Sequence, residues 1–384
     1  MKYYRFSDPA GRYIGNCDKL DIYSDSISPA RIIDEEKTES VQGDMYFNYG
    51  PSAGGLRESV NFRILTPGEF IRDIEINSYY KRRKIKVIND DIETAILKIE
   101  RVNGFHAASH SIGFLLAVED ALEIDNTAVK NLRIAEIELE RIRSNIDVLK
   151  GICESAGFAV PENQLLYLRE EVARIISETF GHRYFFSSNN INFVKLLNSK
   201  IGLEKIKKEF TKIYDGLLSS KIFLDRIQEN GIIKEARSTG PAARASGYVY
   251  DARIDSLSLP YHAYMPVIEN SGDSFARFQV RSREILESIR IIGALGLDTV
   301  KNEKIEGLDG SGEGASRIES PAGDLFYYVK INEGHLEKIL MVPPSYLNIK
   351  LFKHALINNN IFTDFFFVWE SFGIWISELE VEFI

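Results

Sequence analysis

Residues 99–119, IERVNGFHAASHSIGFLLAVE, constrain most strongly what this chain can fold into. Asn103, His106 and His110 recur at spacings of three and four, which on a helix places them on one face. Behind them runs an apolar face of Ile112, Leu115, Leu116 and Val118, ending at Glu119. Three polar side chains beside so much apolar surface predict a buried or half-buried site, with the rest of the chain packed around it.

The flanking sequence supplies the elements to enclose such a segment. Leu132, Ala135, Leu139, Ile142, Ile146 and Leu149 recur at three and four, a core stripe with Glu, Arg and Lys opposite. Further helices are predicted over 162–180, where Gly181 is a candidate C-cap, and over 193–228. Antiparallel helices joined by short links form a bundle. Between 45 and 75 the pattern is strand and turn. Val60–Ile64 alternates apolar and polar, and Thr66-Pro67-Gly68-Glu69 is a turn, so the region reads as a β-hairpin. Asp273 or Ser274 is a plausible N-cap for a helix reaching about residue 294. Residues 1–44, with strand-like pieces such as 20–23, read as an N-terminal extension.

Bulk properties exclude several classes. A net charge of −9 over 384 residues argues against nucleic acid as a partner, since that needs a basic surface. No apolar run reaches the ~18 residues of a membrane helix; residues 365–376 are too short and are broken by Glu370. The start lacks an apolar core of signal-peptide type, so a cytoplasmic or peripheral location is expected. Two cysteines, Cys17 and Cys153, cannot make a four-thiolate site. There is no Walker or dinucleotide fingerprint and no nucleophile elbow.

Residues 99–119 resemble the first metal-binding segment of nickel–iron (NiFe) hydrogenase large subunits, E-R-I/V-C-G-x-C-x-x-x-H…A-V-E. Glu100, Arg101, Val102, Gly104, His110 and Ala117-Val118-Glu119 match, while Asn103 and His106 replace the two cysteines. The 49-kDa subunits of respiratory complex I, the D-type subunits of NADH-quinone oxidoreductase, are similar and also lack these cysteines. Further matches follow in order. Gly50-Pro51 to Gly68-Glu69 resembles the complex I hairpin G-P-x-H-P-x-x-H-G-x-L-R, with Ala53 and Arg57 in place of the histidines near the quinone head group. Arg82 keeps the arginine that lies beside the terminal iron–sulfur cluster. Gly240 to Arg253 resembles G-x-x-A-R-A-S-G-x-x-x-D-x-R. Arg277, Arg281, Glu284 and Ser288 fit G-D-x-x-A-R-x-x-V-R-x-x-E-I/M-x-x-S. Glu319 to Asp324 resembles E-A-P-R-G-E with Ala322 replacing the arginine, and Ser345 and Asn348 fit P-S-x-x-N. At the end, Trp375 and Glu378 stand where hydrogenases have their second pair of cysteines.

The resemblance implies an α-rich α+β, hydrogenase large-subunit-like fold over 45–384, a helix bundle with small peripheral sheets. It implies a large subunit of a membrane-associated, complex I-like or hydrogenase-related oxidoreductase that takes part in electron transfer, on the cytoplasmic side of the membrane. The implied partners are a small iron–sulfur subunit, other hydrophilic subunits, membrane subunits and, as an open question, quinone. The iron–sulfur cluster is expected in the partner, and no cofactor is expected on this chain. The NAD association of the family reflects whole complexes. His110, Ala53, Arg57 and Arg82 are candidate pocket residues. Two alternatives stand beside this reading: a structural subunit with no chemistry of its own, or a pocket in which His106, His110 and Glu378 hold a metal other than nickel, as a 2-His-1-carboxylate set could. The run 81–86 reads either as a solvated basic face or as a contact with an acidic or cluster-bearing partner.

Overall fold

The computed structural model describes residues 45–384 except 234–237, 255, 257–258, 263, 298–303, 306 and 358–359. It also describes the backbone of two strands nearer the start, Tyr13–Cys17 (β1) and Leu20–Tyr23 (β2). The strand expected at 20–23 is present and pairs antiparallel with β1. The rest of the 1–44 extension lies outside the described residues.

The expected hairpin is present and carries one more strand. Met45–Tyr49 (β3), Asn61–Thr66 (β4) and Asp73–Asn77 (β5) form an antiparallel sheet in that order. Phe62, Ile64 and Ile74 point inward from it and are fully buried. Next come Arg83–Ile85 (β6) and Ile92–Ile99 (α1), whose N-cap Asp91 accepts from Thr94 N at 2.8 Å.

Residues 99–119 are not one helix. α1 ends at Ile99, residues 100–106 form turns, and the second helix, α2, runs Ala107–Ala121. The local cause is Asn103, whose Oδ1 accepts from Phe105 N at 3.0 Å, giving the backbone an alternative to helix. The start of α2 is capped from elsewhere. Lys130–Ala156 (α3) sends Glu140 to the orphan amides, Oε2 to Ala108 N at 2.9 Å and Oε1 to Ser109 N at 3.0 Å. Of the three polar residues, only His110 lies within the helix.

α3 ends at Gly157 and Ala159–Phe180 (α4) at Gly181, both glycines with φ 86° closing the helix in the left-handed conformation. The two-residue strands Asn189–Asn190 (β7) and Phe193–Val194 (β8) follow. The helix expected over 193–228 is therefore shorter and broken. It becomes Glu204–Leu218 (α5) and Lys221–Ile227 (α6), the latter restarted by Ser220, whose Oγ accepts from Phe223 N at 3.3 Å.

Gly240–Ala245 (α7) leads to Ser274–Ala294 (α8), capped by Asp273, whose Oδ1 accepts from Ala276 N at 2.7 Å. Strands Gly312–Ser320 (β9), Gly323–Asn332 (β10) and His335–Val342 (β11) form an antiparallel meander. Ser345–Leu356 (α9), Phe365–Phe372 (α10) and Val381–Phe383 (β12) complete the chain, β12 pairing in parallel with β6.

α3 packs against α4, α8 and α10, while α2 lies across β9 and β10. That crossing is close: a Cβ on Gly314 would sit 2.3 Å from Ala117 O, so β9 needs glycine there. Fourteen of the fifteen residues of α2 are buried, which is why the segment reads as apolar almost all round. The apolar stripe on α3 is buried as expected, but the charged face opposite is interior too. Glu136, Glu138, Glu140, Arg141 and Arg143 are all buried.

Candidate functional site

The two segments at the vacated thiolate positions meet. A 3-10 turn, Ile376–Glu378, brings the Glu378 carboxylate under the loop that precedes α2. Asn103 Nδ2 donates to Glu378 Oε1 at 2.7 Å. His106 Nδ1 and His110 Nε2 both lie 3.4 Å from the same oxygen. Ser345 Oγ, at the start of α9, donates to Oε2 at 2.9 Å. The far ring nitrogens are engaged as well, His106 Nε2 with Ser144 Oγ of α3 at 3.0 Å and His110 Nδ1 with Tyr327 OH of β10 at 2.7 Å. Tyr327 OH reaches on to Met341 Sδ at 3.2 Å. Tyr327 fits against α2 because position 113 is glycine: a Cβ there would lie 3.0 Å from its ring.

Trp375 closes one side. Its indole stacks on Phe105 with centroids 4.9 Å apart and presents an edge to His106 at 5.3 Å. Its amide donates to Ser345 Oγ at 3.1 Å, and among the described residues its Nε1–H has no hydrogen-bond partner. Arg83 of β6 ties the two segments together from behind. Nη1 donates to Arg101 O at 3.0 Å, and Nη2 donates to Val102 O and, at 3.0 Å, to Ser377 O.

The electrostatics follow from enclosure. Burial alone would raise the Glu378 carboxyl, but hydrogen bonds from His106 and His110 outweigh it and hold the group well below the usual carboxylate range. Burial, then the Glu378 charge, pushes the Tyr327 phenol far up. The site is thus one buried negative charge surrounded by donors, with the hydroxyl and amide partners already engaged.

This donor set does not fit a nickel–iron centre. Such a centre needs soft thiolates. Here the four positions hold an amide, an imidazole, an indole and a carboxylate. The indole nitrogen has no lone pair to give, and the amide is spent on the carboxylate. His106, His110 and Glu378 do converge, yet among the described residues no three His, Cys, Asp or Glu side chains are grouped so as to hold a metal ion. Both Glu378 oxygens already accept hydrogen bonds from Asn103 and Ser345.

The other candidate pocket residues lie apart. Arg57 reaches Asp147 Oδ2 at 2.9 Å and the Glu370 carboxylate, and a shallow cleft is lined by Arg57, Glu58, Trp369, Glu370 and Gly373. Although burial opposes it, the charges of Glu370 and Asp147 raise the Arg57 pKa. Ala53 is half-exposed and does not line this cleft, and His110 is enclosed in the cluster above. Arg82 is on the surface, 3.1 Å from Glu382 of β12. Lys84 also approaches Glu382, at 3.6 Å, so these two basic side chains share one carboxylate of this chain.

A second buried assembly joins the motifs around α7 and α8. Arg244 meets Glu284 Oε1 at 2.8 Å, Glu319 Oε1 at 2.7 Å and Asp251 Oδ2 at 2.8 Å. Arg253 grips Asp251 bidentately at 2.9 and 2.7 Å. Ser288 Oγ donates to Glu138 Oε2 at 2.5 Å, and Arg141 pairs with that carboxylate at 3.2 Å. Burial, then the Asp251 charge, lifts the Glu319 carboxyl to about 7. Elsewhere, Glu119 is gripped by Arg133 at 2.5 and 2.6 Å, and Glu100 accepts from Ser187 N at 2.8 Å.

Sequence reasoning missed Arg83, Ser144 and Tyr327, which sit on other elements and carry no local signal for this site. Ser345 is recognisable from its motif, but its contact with Glu378 is not.

The profile described as "Respiratory-chain NADH dehydrogenase, 49 Kd subunit" matches residues 164–310. The chain is 26% identical over 364 residues to a D-type subunit of NADH-quinone oxidoreductase from Solibacter usitatus, covering 88% of this chain and 97% of that one. It is also 26% identical to the membrane-bound hydrogenase subunit alpha of Pyrococcus furiosus, covering 82% of each. A chain of the membrane-bound sulfane sulfur reductase, an archaeal respiratory membrane complex, shares the fold with a TM-score of 0.76 at 18% identity, covering 89% of this chain and 100% of that one. With Asn103, His106, Trp375 and Glu378 at the thiolate positions of the hydrogenase pattern, the chain is a divergent relative of the complex I 49-kDa (D-type) subunits and of a membrane-bound hydrogenase subunit.

Proposed function

We propose that this chain is the large subunit of a membrane-associated, complex I-like oxidoreductase and takes part in electron transfer without a nickel–iron centre. The single observation that carries the second half is the Glu378 cluster. Where four thiolates would grip a metal, one carboxylate is gripped by Asn103, His106, His110 and Ser345. Among the described residues no helix is long and apolar enough to cross a membrane. In this reading the chain attaches peripherally through partner subunits, on the cytoplasmic side, as its likeness to subunits of membrane complexes supports. A small subunit carries the iron–sulfur clusters, and membrane subunits lie beneath. Quinone chemistry that depends on histidines does not run here, because Ala53 and Arg57 stand in their place and Arg57 is locked to Asp147 and Glu370.

The test is elemental analysis of the purified complex together with hydrogen-uptake and evolution assays. Iron in cluster stoichiometry, no nickel and no hydrogen activity are expected. Stoichiometric nickel with hydrogen uptake overturns the reading. Zinc, manganese or extra iron that disappears in His106→Ala would instead establish a metal at His106, His110 and Glu378. A purely structural role is the second reading, favoured by the closure of both the Glu378 cluster and the Arg57 ion pairs. Electron-transfer rates unchanged in both Glu378→Gln and Arg57→Met would support it.

A further inference from the structure

Glu136 lies in the middle of α3, fully buried, and among the described residues neither carboxylate oxygen has a hydrogen-bond partner within normal geometry. It belongs to neither assembly described above. An ionised carboxylate without donors is very costly in an interior. Of the charged groups around it only Arg133 favours ionisation, and the hydrogen bonds of its Nη atoms go elsewhere. Arg133, one turn earlier on α3, is held by both oxygens of Glu119 from α2. Glu140, one turn later, is itself an anion, engaged with the start of α2. From β7 comes only an amide, that of Asn189, and this amide is itself unsettled. Among the described residues its Oδ1 has no donor, and its Nδ2 reaches Ser111 Oγ only at 3.4 Å.

We propose that Glu136 is a proton-binding site, carrying its proton at neutral pH and pairing as a neutral carboxylic acid with the Asn189 side chain. A protonated carboxyl and a primary amide are mutually complementary. The acid O–H donates to the amide oxygen while the amide N–H donates to the acid carbonyl. An ionised carboxylate could accept from Nδ2 but would leave Oδ1 orphaned. Burial, opposed by Asn189 and Arg133, lifts the carboxyl to about 8, in keeping with the geometry. On release the O–H bond breaks, its electron pair stays on Glu136 and the proton leaves to solvent. The site thus exchanges one proton just above neutrality. This goes beyond the reading of the Glu378 cluster and stands or falls separately from it.

The acid is held neutral when folded and is ionised above its ordinary value of 4.5 when unfolded. The native state therefore binds the extra proton between 4.5 and about 8, and stability falls as pH rises through that window. The test is infrared spectroscopy of the assembled complex at pH 6 and pH 10, wild type against Glu136→Gln. Because Glu319 also carries a proton near neutrality, the readout is the wild-type-minus-Glu136→Gln difference: a carboxylic-acid carbonyl band is expected in it at pH 6 and lost at pH 10. Wild-type stability should decline between these pH values more than that of the variant. Glu136→Met, apolar and of similar size, is the second variant and should lose the same band while still assembling. If the pH 6 spectra of wild type and a folded variant coincide, Glu136 is ionised and the proposal is wrong. A complex that fails to assemble with both variants also overturns it, because an already neutral site tolerates both.

Discussion

Around Arg244, charge answers charge: Asp251, Glu284 and Glu319 converge on one guanidinium, and Arg253 and Arg141 bring in Glu138. Around Glu378, one charge is answered by an amide, a hydroxyl and two imidazoles. Both assemblies are fully buried, and both join segments far apart in sequence. The difference lies in what a single deletion leaves behind. Removing a member of the first strands several like charges together in a low-dielectric interior. Removing the centre of the second leaves an amide, a hydroxyl and two imidazoles short of a partner. A single buried carboxylate can therefore be held by side chains contributed one by one, whereas an ion network holds only as a set.

Substitutions can sharpen or break this contrast. Arg244→Met should have the largest effect, a loss of about 3–5 kcal/mol, because three buried carboxylates lose their shared cation. Denaturant unfolding of the variant, or its failure to accumulate, measures this; a loss below about 1 kcal/mol would contradict the network. Glu378→Gln should cost about 1–3 kcal/mol, the penalty of unsatisfied buried donors. Its pH signature is distinctive. Glu378 titrates below its ordinary value of 4.5 when folded, so its contribution is present above that value and lost as pH falls below it. Acid unfolding should consequently be less steep in Glu378→Gln than in wild type, and equal steepness would show that the histidines do not hold the charge.

Arg83→Met should come next, at about 2 kcal/mol, by releasing the carbonyls of Arg101, Val102 and Ser377. Faster hydrogen exchange confined to residues near 101–106 and 376–378 is the expected readout. Arg82→Glu should be smallest, within about 1 kcal/mol, since its pair with Glu382 is exposed. If that variant leaves the chain's stability intact yet prevents co-purification of a small subunit, Arg82 faces a partner. Unchanged assembly places it on a solvated face.

Much of the fold was legible because its signals are local. Asp273 and Gly181 terminate helices through bonds to residues within four positions, and the alternation at 60–64 needs no distant information. The meeting of Asn103 with Glu378 was legible only through the family resemblance, since 275 residues separate them. What failed was local reasoning about polar residues. Asn103 fits a helical spacing but spends its side chain on its own backbone. Glu136, Glu138 and Glu140 fit a solvated face, and only contacts with α2, α8 and the loop around Asp251 reveal that they are interior. Arg83 sat in a run of cations whose neighbours are truly exposed, and nothing in its spacing distinguished it.

The parallel pairing of β6 with β12 and the late position of Glu378 also set an order of events during synthesis. Asn103, His106 and His110 leave the ribosome long before the residue that satisfies them. At roughly 5–20 residues per second, the wait is on the order of tens of seconds. Throughout it, the loop before α2 has neither its carboxylate nor, on one side, the carbonyl that Arg83 takes from Ser377. The centre of this protein is therefore finished late, and the growing chain carries an open, polar heart until the residues around Glu378 arrive to close it.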